Sequence, residues 1–394
     1  MLRCGSVSSV LPDAYRAGCE VGEALADLRP ELVLLFSSVD YGEDFDQLFE
    51  GLYDGLGTRD VRIFGGTGDG ICERSGVFEQ GVAALALSTE GAVRWTIDLV
   101  QGVGADSFAS ANDCARRSLA AAGKAPCFAM VMADGSKADG AAIVQGIAQV
   151  LEGPFFGCLA GDDRRFQRGV VFCDGRAYDD AVGLLLGVGS LEVSLHGASG
   201  YAPTGRPGTV ERVEGKTVLQ ISGRPAQQFV REQLGKSIGE VDLGVVPLAL
   251  TDGPRFFLRS PTRIDVDCGG ITTNASIPTG SQVLVCPAAS QDEVLRGVDE
   301  VLDIALRGAG APKAAVVMSC AGRRWILDDR AGDEVARIYE RLGERIPLAG
   351  VPSFGEIGPI RQADGGYSPT HFHNVTIVVC FLGDADAPTP AVDR

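Results

Sequence analysis

Apolar and polar positions follow one another along this chain in an order that returns three times. Three apolar runs end in small or polar residues: Leu32–Ser38 (LVLLFSS), residues 127–135 (CFAMVMADG) and residues 314–323 (AAVVMSCAGR). Runs of this length, rich in branched residues and bounded by polar ones, read as buried strands. An amphipathic stretch follows each. Phe45, Leu48, Phe49 and Leu52 share one helical face behind Asp44, which can cap the helix. Asp139 can do the same for Ile143, Ile147 and Val150, with Gly153 and Pro154 as the stop. Val335, Ile338, Tyr339 and Leu342 form the third stripe, closed by Gly343. A short strand then leads into a glycine turn carrying an acid: residues 65–70 (GGTGDG), 157–163 (GCLAGDD) and 350–359 (GVPSFGEIGP). Closing apolar runs lie at 82–87, 181–186 and 375–380.

Strand, helix, strand, turn and strand in threefold repetition predict pseudo-symmetric units whose turns could gather at one pocket. After the second turn, residues 169–173, the Asp174-Gly175 pair and the run from Ala181 read as a hairpin. Hairpins make the sheets mixed rather than purely parallel. The fold class is therefore α/β in the mixed α+β sense, two pseudo-symmetric domains of mixed sheets flanked by helices. Between the second and third units, residues 211–288 differ in character. They offer a strand pair around Gly215, a helix started by Pro225 and stopped by Gly235, and β-rich segments at 255–267 and 282–286. Ser290 and Glu293 form a capping box ahead of Val294, Leu295, Val298, Val301 and Leu302. Four glycines and two prolines in residues 195–209 mark the seam between halves. The expected domains are 1–210 and 211–384, with 385–394 a disordered tail.

Length and composition agree with that division. At 394 residues the chain exceeds the usual size of one core, and 45% hydrophobic residues supply material for two. No apolar run approaches the roughly 20 residues of a spanning helix, and the first residues hold no sustained apolar stretch of a secretory signal. Eleven scattered cysteines without a CxxC pair favour reduced thiols over a disulfide framework or zinc site, hence a cytoplasmic protein. A formal charge of −17 opposes binding to nucleic acid or an anionic membrane.

The candidate chemistry sits mostly in the glycine turns. Gly65, Gly66, Thr67 and Asp69 belong to a turn whose backbone N–H groups can approach a carboxylate or phosphate, because a missing Cβ lets the main chain come close. No regular helix follows it, so it is not a dinucleotide fingerprint. Singly, such a segment serves equally well as a tight strand end. The second turn supplies Asp162, Asp163 and Arg164; the third supplies Ser353, Gly355 and Glu356. Cys320 ends the third core run, followed by Arg323 and Arg324, of which one fork could face an anion. With three histidines in all, His371 and His373 flank Phe372, and His373-Asn374 could orient a ligand or serve structure alone. No regular metal-ligand spacing accompanies them, so no metal is expected.

These segments carry a family resemblance. The pieces GCLAGDDRRF with VVFCDG, HGASGYAPTG, GRPAQQFVREQLG, SCAGRR, and GVPSFGEIGP followed by HFHNVTIVV are similar to FIST-domain proteins, the N-terminal region over roughly residues 30–220 and the C-terminal region over roughly 225–383. The resemblance implies a sensory, ligand-binding module of bacterial signal transduction that recognises small molecules such as amino acids; some relatives are described as haem-containing nitric oxide sensors. Two departures bear on the ligand. Relatives read GCSTAGEI where this chain has GGTGDGIC, so the usual acid falls at Ile71 and its role could pass to Asp69; Val351 and Pro352 replace an aromatic pair, while Ser353, Gly355 and Glu356 remain.

The expected function is a non-catalytic sensor without a cofactor. Its ligand would be an amino acid or related carboxylate, held by turn amides and arginines, with Glu356 or Asp162 for an ammonium group. Its output would pass to a separate partner such as a kinase or cyclase. One alternative is a haem-based gas sensor with His196 as axial ligand. The other is an enzyme with Cys320 as nucleophile and His373 as base.

Overall fold

The computed structural model describes residues 1–74, 76–252, 255–305, 312–343, 346–360 and 366–385. The expected disordered tail lies outside the described residues apart from its first residue. Three six-stranded sheets share one order. The first runs Arg3–Ser9, Val82–Ser88, Leu32–Ser38, Arg62–Gly68, Val171–Cys173, Arg176–Tyr178. The second runs Val93–Gln101, Ala181–Gly189, Phe128–Asp134, Phe156–Ala160, Glu356–Gly358, His371–His373. The third runs Glu192–Ala198, Ile377–Gly383, Ala314–Cys320, Leu348–Ser353, Ile71–Glu73, Gly76–Phe78. In each, only the middle pair is parallel. The mixed α/β class read from the sequence is the observed one.

The outer two strands of every sheet come from a different part of the chain. The hairpin after the first glycine turn joins the third sheet, where Glu73 pairs with Ala349. The hairpin after the second joins the first sheet, where Val171 pairs with Gly66. The hairpin after the third joins the second, where Glu356 pairs with Cys158. The three sheets are thereby closed into a ring by exchange of hairpins.

Alternation along the strands separates two kinds of core. Leu34, Phe36, Met130, Met132, Val316, Met318 and Val378 point inward and share one apolar cluster drawn from all three sheets. Val33 and Leu35 point the other way, onto the helices Ala14–Leu25 and Phe45–Leu56. The second sheet is backed in the same manner by Ser107–Ala122 and Gly140–Ala148, and the third by Gln291–Ala305 and Asp333–Leu342. Glycine recurs at one equivalent place. A Cβ on Gly65, Gly157 or Gly350 would lie 1.9, 1.8 and 1.8 Å from the carbonyl oxygens of Leu35, Val131 and Val317, their partners in the parallel pairs. No side chain fits there.

A fourth, eight-stranded sheet is inserted between Glu192–Ala198 and Gln291–Ala305. Its longest strand, Thr204–Glu214, crosses residue 210, where the sequence placed the domain boundary, and pairs with Thr217–Ile221 and Gln282–Val285. The residues expected as a seam, 195–209, begin inside the third sheet: Leu195 pairs with Cys380. Asp139 caps its helix through the Ala141 and Ala142 N–H groups, and the Ser290/Glu293 box is formed. Asp44 makes no cap; its carboxylate accepts from the Gln47 side chain instead.

Candidate functional site

The three glycine turns meet at the same end of the ring and bond to one another. Asp69 N–H donates to Pro352 O (2.9 Å), Gly161 N–H to Thr67 O (3.0 Å) and Phe354 N–H to Leu159 O (3.0 Å). Each turn thus rests on the next. The inserted sheet lies over this junction and leaves a cavity of about 500 Å³ between itself and the turns, within the range of small-molecule sites.

Several chain segments line the cavity. The second turn contributes Arg164 and Phe166, the third Ser353 and Phe354, the helix Ala321–Leu327 contributes Trp325, and the inserted region contributes Ser260, Glu240, Val241 and residues 243–245. The inner end is Cys320, Ser353 and Ser260, all buried. Its hydroxyls are engaged: Ser353 Oγ donates to Glu356 Oε1 (2.7 Å) and Ser260 Oγ to Gly244 O (3.0 Å). The walls are the Trp325 and Phe354 rings. The rim is exposed and carries opposite charges, Arg164 and Glu240, with Phe166 (49% exposed) and Val241 (89%). Arg164 stacks on Trp325 at 3.9 Å from guanidinium carbon to ring centre, and Phe166 stacks on Phe354 at 4.6 Å.

The loop bearing Arg164 is held in an uncommon conformation. Asp163, Arg164 and Phe166 all have positive φ, at 55°, 61° and 51°, a region that non-glycine residues occupy only where surroundings enforce it. Asp162 enforces it: its carboxylate accepts from the N–H groups of Phe166, Gln167 and Arg168 at 2.6–2.9 Å. Asp69 adds a fourth tie, accepting from Asp163 N–H (2.9 Å) on one oxygen and from Trp325 Nε1 (3.2 Å) on the other. Burial pushes the Asp69 carboxyl up to about 6.

The residues expected from the sequence divide into three groups. Arg164, Cys320 and Ser353 line the cavity. Asp69, Asp162, Glu356 and Asn374 stand behind the lining and hold it; Asn374 Oδ1, for instance, accepts from Ser260 N–H (2.9 Å), whereas Asp163 is exposed and contributes its backbone N–H to Asp69. Gly65 and Gly66, expected as turn residues with open amides, lie inside the strand Arg62–Gly68 opposite Leu35 and Phe36; Thr67 and Gly355 belong to the junction, where Thr67 Oγ1 donates to Gly161 O and a Cβ on Gly355 would strike the Phe372 ring at 2.3 Å. Neither Asp162 nor Glu356 faces the cavity, so an ammonium group does not meet them there. Burial drives the Glu356 carboxyl up to about 8, and it is neutral at pH 7.

Arg323 requires a correction. The sequence placed it at a strand end facing the pocket, but the strand stops at Cys320 and a helix starts at Ala321. That geometry turns the side chain into the core, 0% exposed. Nε donates to Glu334 Oε1 (2.8 Å), Nη1 to Ser199 O (2.8 Å) and Nη2 to Val294 O (2.9 Å). No fork remains for a ligand. Arg324 pairs with Glu79 at 3.0 Å.

The proposed Cys320/His373 pair is not assembled. Cys320 lines the cavity and neighbours Glu356, and burial raises its thiol far above the ordinary range. His373 opens onto a different cavity, its Nε2 donates to Gly358 O (2.9 Å), and burial lowers it to about 3. No hydrogen bond joins the two side chains among the described residues. His196 does not fit an axial haem ligand either. It is buried, its Nε2 is bonded to Ser194 Oγ at 2.5 Å, and its ring leans on Phe381. Its neighbours Val193 and Leu195 face a cavity of about 100 Å³ on the opposite side of the strand, too small for a macrocycle. All eleven cysteines are free thiols, and among the described residues no group of three His, Cys, Asp or Glu side chains is placed to hold a metal. No helix of the described residues is long and apolar enough to cross a membrane.

Sequence reasoning missed Trp325, Phe166, Glu240 and Ser260. Trp325 carried a usable signal: an aromatic two residues after an arginine on a short helix behind a buried strand. The others reach the site only through tertiary structure.

Curated relatives are themselves uncharacterized. A Mycobacterium bovis protein is 32% identical over 186 residues, 43% of this chain and 47% of that one. A Mycobacterium tuberculosis protein is 30% identical over 176 residues, 41% and 45%. The chain spans about half the length of the curated relatives it matches. Among solved structures, a cyanuric acid hydrolase from A. caulinodans aligns over 98% of this chain and 99% of its own, with a TM-score of 0.39 and 10% identity. The FIST N domain matches residues 31–224 and the FIST C domain residues 218–359. Covering most of the chain, these matches show that it belongs to the FIST family, whose domains are generally sensory modules of signal transduction.

Proposed function

We propose that this protein binds an apolar or aromatic α-amino acid in the cavity beneath the inserted sheet, as a non-catalytic sensor. The observation that carries this reading is the division of the cavity: both charges, Arg164 and Glu240, stand at its rim, while its walls are aromatic and its inner hydroxyls are engaged within the protein. A zwitterion places both ends at such a rim. The carboxylate takes the Arg164 fork, the ammonium group takes Glu240, and the side chain lies along Trp325 and Phe354. A polar side chain would bury groups for which the inner end keeps few partners. Output passes to a separate signalling protein, and neither haem nor a catalytic dyad is part of this reading.

Calorimetry with an amino-acid panel tests it. Phenylalanine, tryptophan or leucine should bind and aspartate should not, and Arg164→Met should weaken binding by about 10- to 100-fold, the loss of one charge-assisted contact. Because Arg164 is exposed, the variant should keep its fold. Binding by no member of the panel, or equal binding by Arg164→Met, would overturn the assignment.

A further inference from the structure

A second cavity lies on the other side of the chain where the strand Arg255–Arg259 gives way to Ser260. Successive residues of a strand face opposite ways; Ser260 faces the site above, and Arg259 faces a cavity of about 300 Å³ between the inserted sheet, the helix Gly140–Ala148 and the strand His371–His373. Arg259 is only 4% exposed. Its Nη1 donates to Phe372 O (2.6 Å) and Leu258 O (3.1 Å), and its guanidinium lies 4.9 Å from the Phe257 ring centre and 5.2 Å from that of Phe372. Nε is buried without a hydrogen-bond partner, and Nη2 has none among the described residues. Nor does any acid pair with it there. Asp139, the carboxylate that acts on it electrostatically, spends its oxygens on the N–H groups of Ala141, Ala142 and Ser276.

Burying a cation without a counter-charge and with open donors is costly. Burial lowers Arg259 to about 10, which still leaves it charged at neutral pH. The contrast with Arg323 is direct: that buried guanidinium has an acid and two carbonyls, whereas Arg259 has carbonyls on one nitrogen only. The open pair, Nε and Nη2, forms the edge of a guanidinium that receives a carboxylate through two parallel hydrogen bonds. Around it stand Phe257, His371, Phe372 and Val144, with Ser276 as a polar neighbour. His371 stacks on Phe257 at 4.8 Å.

We propose that this cavity is a second, independent binding site for a small organic carboxylate, its anionic end on the Nε/Nη2 edge of Arg259 and its apolar body along Phe257 and Val144.

The test uses 4-bromobenzoate as probe on the full chain, with bromine anomalous scattering to place it and calorimetry to count it. Bromine density beside Arg259 is expected, with binding at this site weakened about 10- to 100-fold in Arg259→Lys and the density there kept in Arg164→Met. Should Arg259→Lys fail to fold, Ala148→Trp, on an exposed helix position at the cavity mouth, should block the site while leaving Arg259 in place. Probe found only in the cavity beneath the inserted sheet, or binding untouched by either variant, would overturn the proposal. So would binding of inorganic phosphate here with no binding of 4-bromobenzoate. Failure of the amino-acid panel would bear on the first cavity alone.

Discussion

The helix Ala321–Leu327 has two faces that treat an arginine in opposite ways. On its core face Arg323 is anchored to Glu334, Ser199 and Val294. On its cavity face Trp325 carries Arg164, which comes from a different unit and forms no ion pair among the described residues. Seven residues therefore join a locked charge to an available one. The lesson concerns how binding sites are kept apart from scaffolds. A guanidinium whose three nitrogens are all engaged in the interior fixes three elements in place, and that rigidity lets the neighbouring rim leave another guanidinium open.

The largest effect expected from this contrast is on stability. Arg323→Met should cost about 3–5 kcal/mol in urea unfolding, because Glu334 is left buried with Ser319 Oγ as its remaining side-chain donor. The protein that remains folded should still bind its ligand normally. A loss below about 1 kcal/mol, the range of exposed pairs, would remove the distinction between the two faces.

An effect of comparable size is written in pH. Glu356, behind the cavity floor, keeps its proton in the folded state up to about 8, against 4.5 when exposed. Its contribution is fully present below about 4.5 and is lost as pH climbs through about 8, since the unfolded chain releases the proton earlier. Asp69, raised to about 6, adds the same sign over a lower window. Unfolding curves at pH 5 and pH 8.5 should show wild type weakened at the higher value and Glu356→Gln weakened less. An identical pH difference in the two proteins would contradict a neutral Glu356.

The smallest effect concerns Trp325 itself. Trp325→Phe should cost about 1 kcal/mol, the scale of the hydrogen bond lost between Trp325 Nε1 and Asp69, since a phenyl ring still offers a face to Arg164. Only two tryptophans exist, and the other, Trp95, is buried against Phe128. Ligand-induced fluorescence change should therefore vanish in Trp325→Phe. A change that persists would place the ligand elsewhere.

Much of each unit was legible because its signals are local. Leu32–Ser38 is buried at every position, and the turn glycines mark places where only backbone fits. The leading strands, and the leading helices of the first two units, were not. Arg3–Ser9 is an edge strand with half-buried polar residues, and Ser107–Ala122 is rich in alanine with two arginines, so neither shows a full apolar stripe. The last four residues of Glu192–Ala198 fall in the 195–209 stretch expected as a seam, because glycines and prolines crowd that stretch. At the site, Arg164 and Ser353 were named from turn chemistry alone, whereas Arg323 was misplaced by one short helix. The contact of Arg164 with Trp325 joins residues far apart in sequence, and no local pattern encodes it.

The exchange of hairpins bears on when this chain can fold. The hairpin Ile71–Glu73 and Gly76–Phe78 finds its sheet only when Leu348–Ser353 exists. On a ribosome it leaves the exit tunnel long before that partner is made. The first unit likewise lacks Val171–Cys173 along Arg62–Gly68 until the second unit is made, and the edge there stays open for that interval. Closure of the ring belongs to the last stage of synthesis, so its cooperativity is that of the whole chain, and its folding is slow in the manner of topologies dominated by distant contacts.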